Sequence, residues 1–267
     1  MNNHPMIYVH DICKSYHGMK VLDNLTLSIP QSKTLVILGR SGVGKSVLLK
    51  QIIGIEKPDS GYIEVNGISV TSLKRKELFK IMRHFGMLFQ GAALFDSMTI
   101  GDNVGFYLDQ HGDPKTGHKL PKSVRDDQVA SALRKVGLEN FQTKTPSQLS
   151  GGQKKRAALA RMIVYQPKIL LYDEPTTGLD PITAMQINEL ILSIQEEMHT
   201  TSIVVTHDIR SALEVGDYFA LQHRGKIAHF DSKEHFLDID DPLILNFFEN
   251  AALPKRYFEQ LKRPQVK

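Results

Sequence analysis

The sequence predicts an α/β protein in which helices cover a mostly parallel sheet, with a strand-rich opening and a helical middle. Three observations carry this. An apolar run, Thr34 to Leu38, ends at a glycine-rich loop followed by the helical pattern Lys45 to Ile53. From Lys168 the chain alternates strand and helix: Ile169 to Tyr172, Thr183 to Met198, Ser202 to Val205. That alternation argues for parallel strands joined through covering helices. Residues Met6 to about Gly67 show the period-2 spacing of half-buried strands.

Each element has its own signal. Leu25, Leu27 and Ile29 alternate with Thr26 and Ser28, and Ile63 and Val65 precede the tight-turn dipeptide Asn66-Gly67. Between about Ala92 and Tyr165 the character is helical, interrupted by Gln110 to Ser123, which is rich in Gly, Pro, Lys and His and reads as an exposed connection. Val129 to Val136 resumes the helical pattern. Tyr218 to Leu221 and Lys226 to Phe230 flank Arg224-Gly225 as a late hairpin. Near the end, Leu243, Leu245, Phe247, Phe248 and Leu253 form an apolar stripe that either packs on its own domain or straps onto a partner.

Composition narrows the class without naming a job. With 267 residues, 41% hydrophobic and 23% charged, the chain is of ordinary globular make-up. A chain this long buries roughly 75% of its unfolded surface and needs no staples. Cys13 is the only cysteine, so no internal disulfide forms. Residues Met1 to Pro5 lack the basic and apolar regions of a secretory signal. The apolar runs are strand-length, far short of the ~20 residues that cross a bilayer. Net charge is +4, with a pI of about 9.0. Either the surface attracts nucleic acid or anionic lipid, or it is simply rich in solvated lysine. The basic residues are scattered apart from Lys74-Arg75-Lys76, Lys154-Lys155-Arg156 and the tail. No RNA-binding aromatic motif or zinc spacing accompanies them, so no nucleic-acid partner is expected.

Chemistry enters with Gly39-Arg40-Ser41-Gly42-Val43-Gly44-Lys45-Ser46, a GxxxxGK[ST] phosphate loop between a strand and a helix. Its glycines let backbone N–H groups wrap a phosphate chain, and the helix presents its positive end to the same anion. Lys45 is placed to reach the β- and γ-phosphates, and the Ser46 hydroxyl to ligate Mg2+. Asp173 ends an apolar strand, where a carboxylate holds Mg2+ directly or through water, and Glu174 adds a second acid. Ser150 is placed as the N-cap of a helix opening Gly151-Gly152-Gln153, a second anion receptor. Within one subunit that receptor is redundant.

Leu149-Ser150-Gly151-Gly152-Gln153, downstream of a phosphate loop and upstream of Asp173-Glu174, resembles the signature of ATP-binding cassette ATPases. The resemblance covers about residues 6 to 235. It implies a P-loop NTPase core over residues 1–240, with an antiparallel β subdomain and an α-helical subdomain at about 92–165, followed by an extension at 241–267. It implies ATP and Mg2+, and a head-to-tail dimer in which the signature of one subunit grips the γ-phosphate bound by the other. Glu174 then matches the general base, and Gln90, in Gly86-Met87-Leu88-Phe89-Gln90, the glutamine sensing Mg2+ and the attacking water. His207 matches the histidine at the γ-phosphate, Asp180 in Gly178-Leu179-Asp180-Pro181 the loop communicating across the dimer, and Tyr16 the aromatic against adenine.

The stretch from Met87 through Ile100 and Asn103-Val104 is similar to that of bacterial lipid-trafficking ATPases of the maintenance-of-lipid-asymmetry type, as are Lys154-Lys155-Arg156, Asp241-Pro242 with Phe247-Phe248, and Pro254 to Phe258. Gln153 departs from relatives that carry Met there. This second resemblance implies a permease, a lipid-binding protein of the mammalian-cell-entry type and an accessory subunit, at the cytoplasmic face of a bacterial inner membrane. An importer of amino acids or metals, and a soluble clamp acting on nucleic acid or ribosomes, are the alternative expectations.

Overall fold

A computed structural model describes residues 5–114 and 116–249. Two compact units make up the chain: the residues up to Leu73 together with those from Ile203 onward, and Lys74–Ser202. The second is therefore an insertion within the first.

The opening segment supplies β1 (Ile7–Tyr16), β2 (Met19–Ile29), β3 (Thr34–Leu38), α1 (Lys45–Ile52), β4 (Ser60–Val65) and β5 (Ile68–Ser69). Four of these strands form a sheet in the order β2-β1-β4-β5, antiparallel throughout. Ile7 pairs with both Ile29 and Val65, and Val9 with Leu27 and Ile63. Those apolar partners share the buried face, which is why the period-2 pattern was readable. Asn66 and Gly67 adopt φ +50° and +75°, as a tight hairpin turn requires.

The insertion contains α2 (Arg75–Met82), β6 (Phe85–Leu88), α3 (Ile100–His111), α4 (Lys122–Lys135), α5 (Gly151–Ile163), β7 (Ile169–Asp173) and α6 (Pro181–Met198). Strands β6 and β7 run parallel, from Phe85 opposite Ile169 to Leu88 opposite Tyr172.

The chain then returns through β8 (Thr201–Thr206), α7 (Ile209–Val215), β9 (Tyr218–His223), β10 (Lys226–Ser232), α8 (Lys233–Asp238) and α9 (Pro242–Glu249). Here the strand order runs β10-β9-β3-β8, with β3 parallel to β9 and β10 antiparallel to it. All five residues of β3 are buried, as expected of a strand covered on both faces. Among the described residues no helix is long and apolar enough to cross a membrane.

Three expectations shift. Helix α2 carries no sequence expectation, because it buries none of its residues and so leaves no apolar stripe. Helix α4 starts at Lys122, ahead of the expected Val129, since its first turns are polar. They are held by Arg125, which donates to both carboxylate oxygens of Asp109 at 3.1 and 2.8 Å and to Asp126 at 3.0 Å. The helical stretch expected from Ala92 begins only at Ile100, and Ala92 and Ala93 themselves sit at φ +62° and +52°.

Of the terminal stripe, Phe248 is buried with its ring 6.4 Å from Phe236, while Leu245 remains 45% exposed; Ile244, outside the expected stripe, is buried as well. This part of the stripe packs on its own unit. Leu253 and Pro254 to Phe258 lie outside the described residues.

Candidate nucleotide site

In the first unit, β3 delivers the chain to Gly39 and α1 begins at Lys45. Glycine is obligatory at two points between them. A Cβ on Gly39 would lie 2.7 Å from the Gln222 carbonyl oxygen. Gly44, at φ +101°, would place one 2.8 Å from Val21 Cγ1. Gly44 is also the N-cap of α1, which no side chain caps, so the first-turn amides keep their polarity toward an anion. Arg40, Ser41 and Gly42 are exposed, and Val43 and Ser46 are half-buried.

Lys45 is 6% exposed, and its ammonium donates to the Gly39 and Arg40 carbonyls at 2.8 and 3.2 Å. Gln222, on β9, buttresses the same loop: its Nε2 donates to the Val43 carbonyl at 2.9 Å. Tyr16 ends β1 and donates its phenol proton to Glu56 Oε1 at 2.5 Å. Burial, and then that hydrogen bond, push the phenol up to about 12. His207 follows β8 directly and is exposed, while Asp208 caps α7 by accepting from the Arg210 and Ser211 amides.

In the second unit, Asp173 is the last residue of β7 and half-buried. Glu174 follows in the left-handed region at φ +49°, a strained conformation for a residue with a Cβ. The Thr177 hydroxyl donates to Glu174 Oε2 at 3.0 Å. Gln90 lies just beyond β6 with its side chain exposed.

Ser150 is the N-cap of α5, as its residue type predicts. Its Oγ accepts from the Gln153 amide at 3.3 Å, and the Gln153 side chain accepts from the Ser150 amide at 3.0 Å. This reciprocal capping box gives Gln153 a structural duty, one that the Ser150-x-x-Gln153 spacing encodes. Gly151 and Gly152 form the first turn, and a Cβ on Gly152 would fall 2.5 Å from Thr183 Cγ2. Asp180 caps α6 by accepting from the Ile182 and Thr183 amides and the Thr183 hydroxyl, which together hold its carboxyl below the usual range.

Sequence reasoning missed three residues that shape these loops: Gln222, Lys155 and Arg161. Arg161 donates to the Ala93 and Ala92 carbonyls at 2.7 and 3.0 Å, supporting the left-handed turn after Gln90. Lys155 read as part of a basic surface run, yet it is 5% exposed. Its helical phase was the available clue, since it falls in step with the buried Leu159 and Met162.

Comparison with known proteins adds the decisive observation: the family model described as ABC transporter matches residues 22–177, more than half of the chain. The chain belongs to the ABC transporter family. It is an ATP-binding, ATP-hydrolysing subunit of that family. It is 38% identical over 247 residues to a probable ribonucleotide transport ATP-binding protein of Mycobacterium tuberculosis, covering 92% of this chain and 67% of that one. An intermembrane phospholipid transport ATP-binding protein of Haemophilus influenzae is 35% identical over 250 residues, covering 94% of this chain and 92% of that one. A methionine import ATP-binding protein of Clostridium tetani is 40% identical over 250 residues, covering 93% and 76%. Among solved structures, an ABC dimer in a post-hydrolysis state bound to ADP and Pi superposes with a TM-score of 0.78 at 32% identity, covering 85% of this chain and 98% of that one.

Proposed function

We propose that two copies of this ABC ATPase close head to tail on ATP and drive a membrane permease whose cargo is phospholipid. One observation carries the cargo reading. The phospholipid-transport relative is matched over 92% of its own length, whereas the ribonucleotide and methionine relatives are matched over 67% and 76%. The likeness of Met87 to Ile100 to lipid-trafficking ATPases points the same way. The subunit then works at the cytoplasmic face of a bacterial inner membrane with a permease, a lipid-binding protein of the mammalian-cell-entry type and an accessory subunit.

In this reading the amides of Gly39 to Ser46 wrap the phosphates, Lys45 swings from the Gly39 and Arg40 carbonyls to the β- and γ-phosphates, and Tyr16 lies against adenine. Ser46, Gln90 and Asp173 offer a hydroxyl, an amide oxygen and a carboxylate, a hard-oxygen set that suits Mg2+. The bound ion supplies charge neutralisation on the phosphates. Glu174 orients the attacking water and takes its proton, and His207 donates to the γ-phosphate. Ser150, Gly151, Gly152 and Gln153 receive the γ-phosphate held by the second copy, with Asp180 beside that junction.

Glu174→Gln tests the catalytic half. The variant should bind ATP, lose turnover and accumulate an ATP-dependent dimer in light scattering; turnover near wild type would sink the assignment. Mass spectrometry of lipid and protein co-purified from membranes tests the cargo. A solute-binding protein without lipid would instead favour an amino-acid importer, the reading that the methionine relative supports.

A further inference from the structure

Lys155 is a buried cation that none of these roles uses. It lies on the face of α5 that also buries Leu159 and Met162. Its ammonium donates to two main-chain carbonyls, Gln90 O at 2.5 Å and Glu174 O at 3.3 Å. Gln90 lies just after β6 and Glu174 just after β7, so one side chain clasps the segments leaving two adjacent parallel strands. Burial lowers the pKa of the ammonium, while the carboxylates of Asp173 and Glu174 act to raise it. An ammonium in such a place costs several kcal/mol unless its protons are satisfied. Both carbonyls belong to residues whose side chains must be aimed, and Glu174 is held at φ +49°, a conformation its own backbone does not favour.

We propose that Lys155 is a positioning residue for ATP hydrolysis, fixing the main chain of Gln90 and of Glu174 so that both side chains address one γ-phosphate. The proposal rests on the roles given above to those two residues.

Steady-state hydrolysis by the full chain with Mg2+ tests it, comparing wild type, Lys155→Met, Lys155→Gln and Glu174→Gln. Methionine keeps an unbranched stem one atom shorter and removes the donors, whereas glutamine, of the same reach, returns donors without charge. Expected is a fall in kcat of about tenfold for Lys155→Met, corresponding to loss of a buried donor to two carbonyls. KM for ATP stays within about twofold, because the phosphate loop is untouched. Lys155→Gln recovers most of the rate. Assays run well below each variant's melting temperature, so that unfolding does not enter.

Lys155→Met turning over like wild type, equal losses in both variants, or a rise in KM with kcat kept, would each overturn the positioning role. Should Lys155→Met not fold, Lys155→Gln decides: a rate near wild type supports the donor role, and a loss of about tenfold or more overturns it. Normal turnover by Glu174→Gln would overturn the catalytic reading itself, whatever Lys155 does.

Discussion

The Gln222 amide on β9 donates to the Val43 carbonyl at 2.9 Å, tying a late strand to the phosphate loop. The two residues are 179 positions apart, and the Gln222 Oε1 finds no hydrogen-bond partner among the described residues. A buried amide with one idle end is justified by what the other end holds. Here that is the orientation of a loop carbonyl, and with it the amide on the opposite side of the same peptide.

Gln222→Leu should therefore separate stability from affinity. Removing the idle oxygen offsets much of the lost hydrogen bond, so the urea midpoint should move little. The released Val43 carbonyl should raise KM for ATP roughly fivefold, corresponding to ~1 kcal/mol of loop orientation. An unchanged KM would show that the loop holds its shape without β9.

Burial, and then the bond to Glu56, push the Tyr16 phenol up to about 12. An unfolded tyrosine titrates near 10. The folded state thus holds its proton through that interval, and the associated stability is fully present below pH ~10 and lost as pH rises through the folded value. An alkaline ultraviolet titration of wild type minus Tyr16→Phe should show one phenolate appearing late. A difference signal centred near 10 would count against the Glu56 bond.

Gly152→Ala should destabilise the fold through Thr183. The new methyl would sit 2.5 Å from Thr183 Cγ2, and turning that side chain away breaks the bond from its hydroxyl to Asp180. Overpacking of this kind costs about 1–3 kcal/mol. Adding Thr183→Ser removes the clashing carbon but keeps the hydroxyl, and should restore most of the loss in urea denaturation. If it does not, the glycine is required for another reason.

Asp180 gives a prediction in acid. Its carboxyl lies below the usual range, first through the Thr183 hydroxyl and then through the Thr183 amide. The stability it contributes is present above the ordinary carboxylate value near 3.8 and disappears as pH falls through the lower folded value. Wild type should melt above Asp180→Asn at neutral pH and converge with it in strong acid. A gap that persists there would point to packing instead of charge.

Much of the fold was legible because its signals are local. The alternation of Leu25, Leu27 and Ile29, the Asn66-Gly67 turn and the Ser150 cap each depend on residues within a turn or two. Helix α2 and the first turns of α4 were hidden because exposed helices leave no apolar stripe. In the candidate site the phosphate loop and Asp173-Glu174 announced themselves by contiguous pattern. The supports did not: Gln222, Lys155 and Arg161 act on carbonyls 19 to 179 residues away. Helical phase marked the burial of Lys155, but a side-chain bond to a distant main-chain oxygen leaves no mark on local spacing, and the positive φ of Glu174 leaves none either.

The placement of β3 has a consequence for synthesis on the ribosome. This strand is apolar and wholly enclosed in the finished protein, yet the Thr34 amide meets its acceptor on Asp217 across 183 residues. At roughly 5–20 residues per second, translation leaves that segment waiting about ten to forty seconds for its neighbour. For that interval the nascent chain carries a sticky, unpaired ribbon beside the loop destined to grip nucleotide, and chaperones that shield such ribbons should matter most before residue 217 emerges.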